Sequence, residues 1–245
     1  MANVDHPQAD RAPRSSDLGH GRLEGFSDGV FALAATLLVV SLEVPSDYDE
    51  LLEALGRVPA FGLALAALMS LWVGHRQFFA RHHLGDGWTV LINSVLLFVV
   101  LVYVYPLKLL AEVVANRFLW ASTDEVETMN SAEIRGLYVI FGAAVVATSM
   151  AMAALYLRAW QTRTERQLDR HAEREVASEG IAYLCIALIA VVGLGVAVVD
   201  LGLSWGLPIW LLLIGSPLVE LFRQRHARGQ TGTLSLRGWR VRGGR

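Results

Sequence analysis

The sequence predicts an all-α membrane protein with six transmembrane helices, and three observations carry that prediction. Of its 245 residues 54% are hydrophobic and 18% are charged, whereas soluble domains carry about 25% charged residues. Apolar blocks with the length of a bilayer crossing recur along the chain. The basic residues between them alternate between rich and poor segments, which fixes an even number of crossings.

The first apolar run, RLEGFSDGVFALAATLLVVSLE over residues 22–43, is the least regular. Only Gly29 to Leu42 separate Asp28 from Glu43, and a lipid-facing span needs about 20 apolar residues. Five further blocks follow: Val58–Phe79, Trp88–Leu107, Gly136–Leu157, Gly180–Val199 and Leu203–Phe222. The second, third and fourth of these five contain no charge and are long enough to cross a hydrocarbon core as helices. Residues 1–21 are polar, so no signal peptide is expected before the first span. The lone Cys185 falls inside the fifth span, which excludes a disulfide framework and a cysteine metal site.

Lys and Arg number 3 in residues 1–25, 2 in 76–87, 5 in 158–179 and 7 in 223–245. The alternate segments hold only Arg57, Lys108, Arg117 and Arg135. The positive-inside rule then puts both termini in the cytoplasm. An odd number of crossings would place the Arg-rich tail outside, so the short first run must span. The chain divides into a disordered N-terminus (1–21), a six-helix membrane domain (22–222) and an Arg-rich tail (223–245). The tail suits anionic headgroups; no folded nucleic-acid-binding module accompanies it.

The outer segments are acidic. Glu43, Asp47, Asp49, Glu50 and Glu53 lie in the first, and Glu112, Asp124, Glu125, Glu127 and Glu133 in the second. A solvated outer face accounts for most of them. Glu43 and Asp47, at the end of the first span, also suit a negative mouth that enriches cations. Ser46-Asp47-Tyr48-Asp49 reads as the capped start of a short helix.

On a helical wheel at about 100° per residue, the first span shows two faces. Leu33, Leu37 and Val40 form a ladder edged by Thr36. Roughly opposite runs a small-residue strip of Asp28, Ala32, Ala35 and Val39. Small residues let membrane helices approach closely, so this strip is expected to pack on the other helices of the same subunit. The topology brings Asp28, His75 and Asn93 to one depth, near the inner boundary, with Ser27, Trp72 and Arg76 beside them. A buried carboxylate there needs partners, and a hydrogen-bonded cluster with His75 and Asn93 would supply them. Arg22 is placed to reach phosphates or join that cluster.

Arg22-x-x-x-Phe26-Ser27-Asp28, followed by Gly-Val-Phe-Ala and Thr-Leu-Leu-Val, resembles the signature of the transmembrane protein 175 family of potassium channels. Trp72-x-x-His75 in the second span, Asn93 in the third and Pro106 near its end extend the resemblance over the first three spans. It implies a potassium-selective channel, not an enzyme, that binds no cofactor and passes potassium ions. It also implies that the first helix lines a central pore in a symmetric oligomer. Carried over, Leu33, Leu37 and Val40 form the constriction and Thr36 the selectivity layer. Arg22, Phe26, Ser27, Asp28, Trp72, His75 and Asn93 form a helix-packing network. No Thr-Val-Gly-Tyr-Gly filter occurs, so a carbonyl cage of the usual kind is excluded; rings of leucine would instead block ions by dewetting. One first helix cannot enclose a pore, and closed rotational symmetry is the natural assembly. The resemblance to six-helix prokaryotic members implies a homotetramer in the cell membrane.

Two other readings stand beside this one. Proton conduction would use Asp28 and His75, which lie off the ladder. An ion-coupled secondary transporter would need broken helices at midplane, and Gly193-x-Gly195 and Pro208 are the available breaks. His82, His83 and Asp86 are at most a weak metal trio in a basic turn.

Overall fold

In a computed structural model, the described residues are 15–40, 46–119, 129–165 and 170–199, and they form six helices. These are α1 (Ser15–Val40), α2 (Tyr48–Gly56), α3 (Val58–His82), α4 (Gly87–Leu119), α5 (Ser131–Gln161) and α6 (Arg170–Val199). Among the described residues α3, α4, α5 and α6 are long and apolar enough to cross a membrane. The 26 residues of α1 extend about 39 Å at 1.5 Å per residue, more than a hydrocarbon core of about 30 Å. It reaches that length with Asp17, Arg22, Glu24 and Asp28 on board. The block Leu203–Phe222 and the Arg-rich tail lie outside the described residues.

Helix α1 starts seven residues before Arg22, so residues 15–21 are helical, not part of a disordered terminus, and Asp28 sits well inside the helix. Short α2 is capped by Asp47, which accepts from the Glu50 amide at 2.9 Å. Glu50 reaches back to the amide and hydroxyl of Ser46, each at 2.7 Å. The capping pair is therefore one residue later than the Ser46-to-Asp49 spacing suggests. The Ser46 hydrogen bonds hold the Glu50 carboxyl below its ordinary pKa. Asn130 and Glu133 build a reciprocal capping box at the start of α5.

Helix α1 packs against both α3 and α4, which also pack on each other; α4 continues to α5, and α5 to α6. A run of aromatic rings crosses the bundle near the α3–α4 turn. Phe31 of α1 meets His75 at 5.3 Å, His75 meets Phe79 at 4.8 Å, and Phe79 meets Phe78 edge-on at 5.2 Å. Phe78 then meets Tyr156 at 5.0 Å, and Tyr156 stacks on Tyr183. Gly74 makes this possible, because a Cβ there would collide with the Tyr183 hydroxyl.

The turn itself is tied by charge. Asp86 takes Arg158 of α5 at 2.9 Å and the Thr89 hydroxyl of α4. Partial burial raises the Asp86 pKa, but the bonds from Thr89 and Arg158 outweigh it and leave the carboxyl below its usual value. Arg81 pairs with Glu175 of α6. His82 is buried between Phe78 and Tyr156, so it faces the core while Asp86 faces Arg158; the two do not share a site.

The outer face of α4 carries Trp88, Leu91, Val95, Phe98, Val102 and Tyr105, all exposed. Water would penalise such a stripe; lipid or another subunit would not. Trp88 and Tyr105 stand about 26 Å apart at 1.5 Å per residue, near the spacing of interfacial aromatic belts. Pro106 does not break α4. The helix runs on past Leu107 and carries Lys108 and Glu112 with it. Glu112 is consequently buried, not part of a solvated outer face.

Candidate functional site

The site is built on α1, and its orientation follows from which residues are buried. Ser27, Phe31, Ala34 and Leu38 are each at most 1% exposed. They recur at the spacing i, i+4, i+7, i+11 of a single helical stripe. This stripe lies one residue before the Asp28, Ala32, Ala35, Val39 strip expected to pack. Ala32 and Val39 are exposed and Ala35 is half-buried. One residue is about 100° of rotation, so α1 is turned by that amount. Size explains the difference, since Phe31 and Leu38 fill the groove between α3 and α4 where alanines would leave voids.

The rotation decides what faces away from the subunit. Gly29, Ala32, Leu33 and Thr36 are all exposed, Leu33 by 51%. Thr36 moves from the edge of the ladder to the middle of the open face. Leu37 is half-buried against the core. The backbone of Val40 closes α1, its side chain lying outside the described residues, as does all of Glu43. Phe26, expected in the packing network, is 64% exposed; on the wheel it sits near Leu33. Arg22 is exposed too.

The inner half of α1 is fastened by two separate sets of hydrogen bonds. Trp72 donates its indole N–H to Asp28 Oδ1 at 2.8 Å, and the Arg76 guanidinium lies over the Trp72 ring at 5.4 Å. Beside this pair runs a fully buried chain. His75 Nε2 meets Asn93 Oδ1 at 2.7 Å, and Asn93 Nδ2 donates to Ser27 Oγ at 2.9 Å. Ser27 in turn donates to the Leu23 carbonyl at 2.8 Å. The expected cluster therefore forms with different partners. Asp28 pairs with Trp72, and the neutral hydroxyl of Ser27 takes the place beside Asn93. The reason is again the rotation, which aims Ser27 into the bundle and leaves Asp28 at its margin.

Asp28 thus serves as an acceptor for one indole N–H. An amide carbonyl can do the same. Asp28→Asn is expected to leave assembly near normal, whereas Asp28→Leu, which orphans the indole N–H, should cost about 1–3 kcal/mol. Thermal stability of the detergent-solubilised oligomer by size-exclusion chromatography separates them. Normal oligomers from Asp28→Asn with altered ion preference would instead assign the carboxylate to permeation.

Thr36 donates its hydroxyl proton to the Ala32 carbonyl at 2.9 Å, the local bond common for threonine in helices. Donation leaves the oxygen lone pairs free to accept. They stand on the open face with Leu33 one turn toward the inner end.

Helix α1 is thus engaged on one side and leaves Leu33 and Thr36 exposed on the other, and the comparisons with known proteins assign the class, that of channels and not enzymes. Residues 22–103, which hold the whole fastening network, match the family described as Endosomal/lysosomal potassium channel TMEM175. A protein of Marivirga tractuosa named "Potassium channel" is 33% identical over 191 residues, 76% of each chain. The solved structure of a threonine-to-alanine variant of the potassium channel MtTMEM175, bound to a nanobody fusion, superposes with a TM-score of 0.72. It is 27% identical and covers 93% of this chain and 99% of that one. The TMEM175 homologue of Chamaesiphon minutus, at 24% identity and TM-score 0.53 over 82% of this chain and 97% of its own, shares the fold. The chain belongs to the TMEM175 family.

Proposed function

We propose that this chain is a potassium-selective channel of the cell membrane, assembled as a homotetramer around a pore lined by α1. The carrying observation is the open face of α1, because Leu33 and Thr36 are exposed on a helix whose other side is fully engaged. Symmetric copies of that face enclose a path with leucine rings at Leu33, flanked by Leu37 and Val40. Such a constriction gates by dewetting. Glu43 and Asp47 form a negative outer mouth that concentrates cations. Both termini lie in the cytoplasm. Arg81, His83, Arg158, Arg163 and Arg170 all belong to one end of the bundle, and that agrees with the positive-inside rule.

Selectivity resides in Thr36. Its hydroxyl oxygens, polarised by the bond to Ala32, offer a ring of acceptors in an otherwise aliphatic wall and partly replace lost hydration. Thr36→Val keeps the shape and removes the oxygen. Purified protein in planar bilayers, recorded under bi-ionic potassium and sodium conditions, should show a potassium-selective current. Thr36→Val should lower the potassium-to-sodium permeability ratio with assembly intact. An unmoved reversal potential would leave the hydroxyl a structural part of α1, and no cation current from wild type would remove the channel reading.

A further inference from the structure

We infer that the buried carboxylate of Glu112, with the half-buried cations Arg57 and Lys108 beside it, forms an ionic seat that sets the position of the outer half of α1. Resting on the channel reading above, the seat thereby sets the pore width at that level. Glu112 is 2% exposed, and Lys108 Nζ stands 3.7 Å from its Oε1, one turn back on α4. Arg57, between α2 and α3, faces the same small cavity as both. Its remaining walls are Leu38 of α1 and Ala60, Phe61 and Ala64 of α3. The space suits about one water.

The geometry makes these charges a support for α1 and not merely a patch on the outer surface. The inner half of α1 is fastened by Asp28 to Trp72 and by Ser27 to Asn93. Toward the outer end its buried anchor is Leu38, 1% exposed. Ala60 and Ala64, each at most 2% exposed, let α1 come close to α3 there. Beneath Leu38, one carboxylate on α4 faces a guanidinium at the start of α3 and an ammonium on its own helix. In a medium of low dielectric the carboxylate holds the cations together. Neutralise it and two like charges share the cavity. They then push the outer ends of α3 and α4 apart, and Leu38 loses its floor. Because Thr36 and Val40 are on the same turns as Leu38, the lining moves with it. Glu112 is a positioning residue: it acts on the pore through α1.

The test is unitary conductance of the purified channel in planar bilayers, with oligomeric state read by size exclusion. Glu112→Gln is expected to change unitary conductance about twofold or more. The paired exchange Lys108→Glu with Glu112→Lys should return it toward wild type. A purely structural role would lower yield or thermal stability and leave conductance alone. Wild-type conductance in assembled Glu112→Gln channels overturns the inference. Should that variant fail to assemble, Arg57→Gln, which leaves the Lys108–Glu112 pair neutral, is recorded in its place, and wild-type conductance there overturns it equally. Leu33→Ala recorded alongside separates the two readings. If it alters conductance and the seat variants do not, only the seat falls; if it also does nothing, the pore assignment falls.

Discussion

Leu33→Ala is expected to raise unitary conductance or open probability about tenfold, the effect of taking roughly 1.4 kcal/mol off the permeation barrier. Leu33 is half-exposed in the subunit and presents its branched end away from α3 and α4. In a symmetric assembly each copy loses most of its side chain at once. Apolar carbons cost about 0.8 kcal/mol per CH₂ to hydrate, so a narrow ring of them excludes water and a ring of methyl groups does so less. Leu37→Ala should have the smaller effect on current and the larger one on stability, because Leu37 is half-buried against the core. Single-channel recording gives the first quantity and oligomer melting the second. Unchanged currents in both variants would remove the leucine constriction. A larger current effect at Leu37 than at Leu33 would mean that α1 rotates back by about one residue on assembly.

That one-residue rotation also marks where reading the sequence stops. The four long apolar helices among the described residues and the depth shared by Asp28, Trp72, His75 and Asn93 follow from apolar length and charge placement. The facing of α1 does not. In a bilayer neither side of a helix is distinguished by hydrophobicity, so packing is decided by shape. The alternatives Ser27-Phe31-Ala34-Leu38 and Asp28-Ala32-Ala35-Val39 have the same spacing. A preference for large side chains in a groove would have chosen the first, whereas a preference for small ones chose the second. Hydrogen-bond partners follow the rotation, which is why Ser27 and not Asp28 meets Asn93. Glu112 was illegible for another reason. Lys108 interrupts the apolar pattern that defines the third span, and nothing in the composition distinguishes a helix that ends there from one that continues into the bundle. The i,i+4 spacing of Lys108 and Glu112 was the available signal.

The largest loss of assembly is expected from Asn93→Leu. Asn93 has no exposed surface and joins α3 to α1 through its two ends, accepting at one and donating at the other as the tautomer of His75 allows. Leucine keeps the same branched outline with the same number of side-chain heavy atoms, although its methyl groups are bulkier than an amide, and it removes both polar partners. His75, itself 1% exposed, then has its Nε2 beside apolar carbon. An orphaned buried group of this kind costs about 1–3 kcal/mol, and native stability is only about 5–15 kcal/mol in total. Ser27 is hit less, because its hydroxyl still donates to the Leu23 carbonyl. The expected result is a marked fall in the melting temperature of the oligomer. His75→Phe placed on top of Asn93→Leu should recover part of it, since both ends of the broken bond are then apolar and phenylalanine still packs on Phe31 and Phe79. A double variant no more stable than Asn93→Leu alone would show that the Asn93–Ser27 bond, and not the one to His75, holds α1 in place. Normal melting of the single variant would mean that the apolar stripe of Phe31, Ala34 and Leu38 seats α1 by itself.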